Sequence, residues 1–206
     1  VRLDGRELPR EWGFQTFPAS GQPASFEIGF CGCAGYTPWN ERIWRTIASR
    51  GFPAFFFTGD NVYIDHPEYP DVQNYCYYRW QSRPEFRALT ASTSIFAVWD
   101  DHDFGTNDSW GGPAIETPPW KKPVWETFTY NWNNPYYGGG SEQPGCWFDT
   151  SIADVDVFML DDRYYRTDPA THNASMLGPA QKKWLFHKLR ASTATFKLLV
   201  TSVPWA

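Results

Sequence analysis

The chain has 206 residues and a formal net charge of −5, with 18 Lys and Arg against 23 Asp and Glu. That length can bury one good-sized core, and the acidic balance excludes a nucleic-acid binder that relies on a basic patch. Aromatic residues make up 19% of the chain, with 16 Gly and 17 Pro, which excludes disorder and points to a globular protein rich in ordered loops. No apolar run approaches the roughly 18 residues of a membrane span.

The first 25 residues (Arg2, Gly5, Pro9, Pro18, Gly21, Pro23) carry no core pattern and read as a linker or tail leaving a preceding domain. Phe26, Ile28 and Phe30 alternate with Glu27 and Gly29, a period-two strand that runs to Cys31-Gly32-Cys33. Thr37-Pro38 then reads as an N-cap and first helical position, before an apolar stripe of Ile43, Trp44, Ile47 and Ala48 and a stop at Gly51. Residues 54–58 are short, apolar and continuous, as expected of a strand buried on both faces. A helical stretch over 71–91, interrupted at Pro84, leads to a second buried strand over 95–99. Residues 103–148, rich in Gly, Pro, Trp and Asn, read as a long ordered insertion whose aromatic residues pack locally. A strand over 155–160, a helix opened by Gly178-Pro179 and a last strand over 196–200 complete the pattern. Strands alternating with helices predict an α/β fold with at least some parallel pairing.

None of the four cysteines (Cys31, Cys33, Cys76, Cys146) forms a CxxC, so their spacing argues against a structural zinc finger. Cys31 and Cys33 read either as small buried thiols or as a source of one thiolate ligand. The predicted strands end in acidic clusters: Gly59-Asp60-Asn61-Val62-Tyr63-Ile64-Asp65, then Trp99-Asp100-Asp101-His102-Asp103, then Asp161-Asp162-Arg163. One such cluster is an ordinary turn, but three after buried strands bring together carboxylates that repel unless cations neutralise them. Hard oxygen donors with one imidazole and one thiolate suit a multinuclear metal centre, able to generate a metal-bound hydroxide and clamp a phosphoryl group.

These motifs, together with Asn107, Leu160-Asp161-Asp162-Arg163-Tyr164-Tyr165-Arg166 and Leu177-Gly178-Pro179-Ala180-Gln181, resemble the alkaline phosphatase D (PhoD-like) metallophosphatases. The resemblance implies an α/β fold, the calcineurin-like metallophosphoesterase sandwich with helices outside two sheets (αββα). About half of it falls in this chain, as the first half of a catalytic domain over 26–206. It further implies hydrolysis of phosphomonoesters or phosphodiesters, iron(III) and calcium as cofactors with manganese, zinc or magnesium as alternatives, and an extracytoplasmic (periplasmic or secreted) setting. Position by position, Cys33, Asp60 and Tyr63 match the iron ligands, Asn107 a ligand of the second metal, and His102 the histidine near the leaving group. Asp101, Asp65 and Arg163 are expected in supporting roles. Gly32 stands where the family more often has Ser. The later aspartate and histidine motifs and an N-terminal β-sandwich domain lie outside this sequence, so the fragment alone is expected to be inactive and to need the C-terminal half of the domain. Two other readings compete: a metal-free hydrolase using paired carboxylates, for instance on glycosides, and a non-catalytic, metal-stabilised structural or assembly component.

Overall fold

The computed structural model describes residues 2–3, 6–7 and 16–205. The strands β1 (Arg2–Leu3) and β2 (Arg6–Glu7) pair antiparallel. What was expected of a tail over 4–5 and 8–15 lies outside the described residues. Residues 16–25 touch the body of the fold at two points: the Phe17 ring lies 6.3 Å from Phe96, and the Gly21 N–H donates to the Ala153 carbonyl.

Two three-stranded sheets form the centre. In the first, β3 (Gly29–Cys31), β4 (Ala54–Phe57) and β5 (Ser94–Ala97) run parallel in that order. All four residues of β4 are buried, and side-chain alternation divides them between two layers. Phe57 packs on Trp44, Trp80 and Phe86, whose helices α1 (Ile43–Ala48), α2 (Pro70–Gln81) and α3 (Pro84–Thr90) cover the outer face. Phe56 stacks on Phe96, which meets Phe148 of the second sheet at 6.0 Å. Each phenylalanine so buried contributes about 2 kcal/mol of transfer free energy. In the second sheet, β6 (Phe148–Ile152) is antiparallel to β7 (Val155–Met159), and β7 is parallel to β8 (Phe196–Val200). Val157 and Met159 join the shared core, whereas Phe158 faces the helix that follows β7, packing on Trp184 at 6.4 Å. Helix, sheet, sheet and helix therefore succeed one another.

The predicted break at Pro84 separates α2 from α3. Elsewhere the boundaries move. The 26–30 strand shortens to β3, with 26–28 outside it. Thr37 does not cap a helix: its N–H donates to Glu41, whose other oxygen accepts the Trp44 indole N–H, and α1 begins only at Ile43. The 103–148 segment contains the helix α5 (Lys121–Asn131), after the single-turn α4 (Asp101–Phe104) that opens just before it. The helix opened by Gly178 is α6 (Gly178–Ala191). Among the described residues no helix is long and apolar enough to cross a membrane.

Candidate metal centre

Because β3, β4 and β5 are parallel, their carboxyl ends share one edge, where open α/β sheets gather ligands. The three loops leaving that edge are tied to one another. The Cys33 and Ala34 N–H groups donate to the Gly59 and Asp60 carbonyls at 3.1 and 2.8 Å, and Ile64 N–H donates to the His102 carbonyl at 3.1 Å. Buried Asp103 accepts the N–H groups of Asn61, Val62 and Asp100 at 3.0–3.2 Å. Burial nonetheless pushes its carboxyl up to about 8, against those N–H donors. Cys33, Asp60, Asp65 and Asp108 all have positive φ, +56°, +51°, +50° and +58°. Four non-glycine residues in the left-handed region crowd one site, a conformation that carries a steric cost. Gly59 has φ +116°, and a Cβ there would lie 2.6 Å from the Asp100 Cβ, so only glycine fits.

The loops bring donor atoms of Asp60, Asp101 and His102 within 4.8 Å of one another. On the side of Cys33, the thiol donates to Asp60 Oδ2 at 3.5 Å and the Tyr63 hydroxyl donates to the same oxygen at 3.1 Å. Asp60 thus belongs to two donor sets, and its Oδ1 is buried without a hydrogen-bond partner among the described residues. His102 is fixed from behind: Nδ1 meets Asp65 Oδ1 at 2.6 Å, which leaves Nε2 as the free ring nitrogen. The Tyr63 and His102 rings lie 4.3 Å apart. Asp101 Oδ2 accepts the Asp108 N–H at 2.5 Å, and its Oδ1 lies 3.6 Å from Arg163 Nη2.

The electrostatics show a site short of positive charge. Burial, then the charges of Asp100 and Asp101, raise the Asp60 carboxyl above its ordinary value. Burial and Asp60 likewise raise the Cys33 thiol and the Tyr63 phenol. For His102 burial works downward, but the Asp65 hydrogen bond and charge prevail and raise it. Asp101 is held low despite its burial, by the Asp108 N–H and Arg163. A cation would reverse the three upward shifts of the acids and satisfy the unpartnered Asp60 oxygen, so this donor set fits metal.

Of the residues expected as ligands, Cys33, Asp60 and Tyr63 stand together and His102 stands beside them. Asn107 lies on an exposed turn with its amide on Asp108 Oδ2 at 2.8 Å, one residue from the N–H that reaches Asp101. Asp101, expected in support, has an oxygen inside the Asp60–His102 group; its place directly before His102 at a strand end is the signal that points there. Arg163 turns its Nε to Asp100 at 2.5 Å and its Nη1 to the Ser109 carbonyl at 3.1 Å, away from a clamping position. The sequence reading missed Asp103 as the tie between loops.

Residues 72–206 match the sequence model of the PhoD-like phosphatases. Among solved structures the chain is similar to PhoD, with a TM-score of 0.74 and 18% identity over 90% of this chain and 43% of that one. It is also similar to a purple acid phosphatase from yellow lupin (Lupinus luteus) seeds, with a TM-score of 0.64 and 12% identity over 92% of this chain and 32% of that one. No curated protein matches. The chain therefore spans less than half the length of either structure. At these identities the structural likeness establishes the α/β metallophosphoesterase fold, and the match over well over half the sequence establishes the family: the chain belongs to the PhoD-like phosphatases.

Proposed function

We propose that this site, completed by a further segment of the same fold, hydrolyses phosphate esters with metal ions held at Asp60. Cys33, Tyr63 and Asp60 form the more anionic set, whose thiolate, phenolate and carboxylate suit a trivalent ion such as iron(III). Asp60 with Asp101 and Asn107 offers oxygen donors to a second cation, calcium in the family's pattern, with His102 beside them. An extracytoplasmic setting rests on the same pattern. When bound, such ions supply an activated water and neutralise phosphoryl charge. The chain's own residues position and transfer. Asp103 and the cross-loop bonds hold Asp60 and His102 in register. Asp65 grips Nδ1, so that Nε2 of His102 can give a proton to the leaving ester oxygen. Arg163 and Asp108 hold the Asp101 carboxylate in place.

The observation that carries this reading is the buried, unpartnered Asp60 oxygen between two donor sets. The test uses the full-length polypeptide, assayed with p-nitrophenyl phosphate and its bis-ester. Chelation should abolish turnover, and Asp60→Asn should reduce metal content and lower activity by roughly 100-fold or more. Chelator-insensitive hydrolysis would favour paired carboxylates instead. Metal binding without turnover would favour a structural role.

A further inference from the structure

Beyond the ligands, a chain of hydrogen bonds ending in an ion pair links the end of β8 in the second sheet to the metal group at the edge of the first. Buried Asp162 accepts the backbone N–H groups of Ser202 and Val203 on one oxygen, at 3.0 and 3.4 Å. That fixes the turn after β8. The Ser202 hydroxyl then donates to Asp100 Oδ1 at 2.9 Å, the same oxygen that receives Arg163 Nε at 2.5 Å. The other face of that guanidinium stands 3.6 Å from Asp101 Oδ1. Gly59 lets these parts meet: a Cβ there would sit 2.6 Å from the Asp100 Cβ and 3.0 Å from the Ser202 Cβ.

Arg163 therefore stands between two carboxylates, and the hydrogen bond from Ser202 favours one of them. The hydroxyl fixes the Asp100 carboxylate with Oδ1 toward Arg163, where it takes the shorter, charge-assisted bond. With Asp100 so placed, Asp101 keeps negative charge for a cation. Without it, the guanidinium is released toward Asp101, and it competes with metal for that oxygen. We propose that Ser202 is a positioning residue which tunes the metal affinity of the Asp60–Asp101 carboxylate pair beside His102 through Asp100 and Arg163. The inference rests on the reading of that group as a metal site.

The experiment titrates the metal-free, full-length protein with manganese(II) alone and follows binding by calorimetry, with the melting temperature of the metal-free protein as a folding control. Ser202→Ala should weaken manganese binding by about tenfold, the scale of groups that orient ligands, while the metal-free melting temperature stays near wild type. Ser202→Thr, which keeps the hydroxyl, should restore the affinity. Asp100→Asn should weaken binding too, and the double variant should bind no worse than Asp100→Asn, because both changes act on one chain. Wild-type affinity in Ser202→Ala, or independent additive losses in the double variant, would overturn the proposal while leaving the metal site standing. Absence of manganese binding in the wild type would overturn both.

Discussion

Both oxygens of Asp103 accept backbone N–H groups from residues 61, 62 and 100, so one side chain clamps the loop after β4 to the loop after β5. Removing it would leave three buried donors without an acceptor, each costing on the order of 1–3 kcal/mol and not fully additive. Asp103→Ala should therefore destabilise the metal-free protein by about 3 kcal/mol or more, read as a lower urea midpoint. Asp103→Asn retains one acceptor oxygen and should lose about half as much. Equal midpoints for Asp103→Ala and wild type would remove Asp103 from this role. The spacing Asp100-Asp101-His102-Asp103 made a turn-capping carboxylate legible in the sequence, and Asp103 does accept the Asp100 N–H. Its larger task, bonding to a loop some forty residues earlier, is a tertiary contact that no local pattern encodes. The same holds for the positive φ of Cys33 and Asp60, which side-chain identity does not announce.

Helix α5 shows how an element can be hidden in a segment read as insertion. Val124, Thr127 and Phe128 are buried at helical spacing, and Trp132 at its end packs on Phe57 at 5.3 Å and on Trp80 at 5.7 Å. The segment thus builds the same core as β4. Trp132→Ala should cost about 3–5 kcal/mol by denaturant unfolding. Tyr130→Ala, at an 86% exposed position in the same helix, should change stability by less than about 0.5 kcal/mol. Comparable losses at both positions would contradict the packing. The helix escaped the sequence reading because Gly, Pro and Asn crowd both flanks, and because Lys121 reads as solvent-facing. In the structure Lys121 is buried, its ammonium over the Tyr164 ring and bonded to the Gly112 and Ala114 carbonyls. β6 was not among the expected strands: Asp149, Thr150 and Ser151 between Phe148 and Ile152 carry no apolar run, and it is pairing with β7 that makes them a strand. By contrast β4 and β5 were legible because strands buried on both faces need continuous apolar runs.

At the scale of the molecule, Asp162 after β7 holds the turn after β8, whose Ser202 reaches Asp100 at the edge of the first sheet, and this junction ties folding to pH. Burial, reinforced by the charges of Asp161 and Asp100 against the N–H bonds from Ser202 and Val203, raises the Asp162 carboxyl from 3.8 to about 6. Its Oδ1 is buried with no hydrogen-bond partner among the described residues, so an ionised carboxylate there is poorly solvated and a proton on that oxygen relieves it. The native value lies above the unfolded one, so between these values the native state holds more protons than the unfolded chain. Its contribution is accordingly fully favourable below pH 4 and lost as pH rises through 6, a loss of roughly 3 kcal/mol. Other groups in the site titrate as well, so the informative quantity is the difference between wild type and Asp162→Asn. An asparagine can still accept the Ser202 and Val203 N–H groups through its carbonyl oxygen, and it carries no charge to bury. Measured by urea unfolding of the metal-free protein, the stability of Asp162→Asn relative to wild type should rise between pH 4 and pH 7. A flat difference across that range would mean that Asp162 is already ionised at low pH, with its second oxygen held by a positive group brought to the junction from elsewhere.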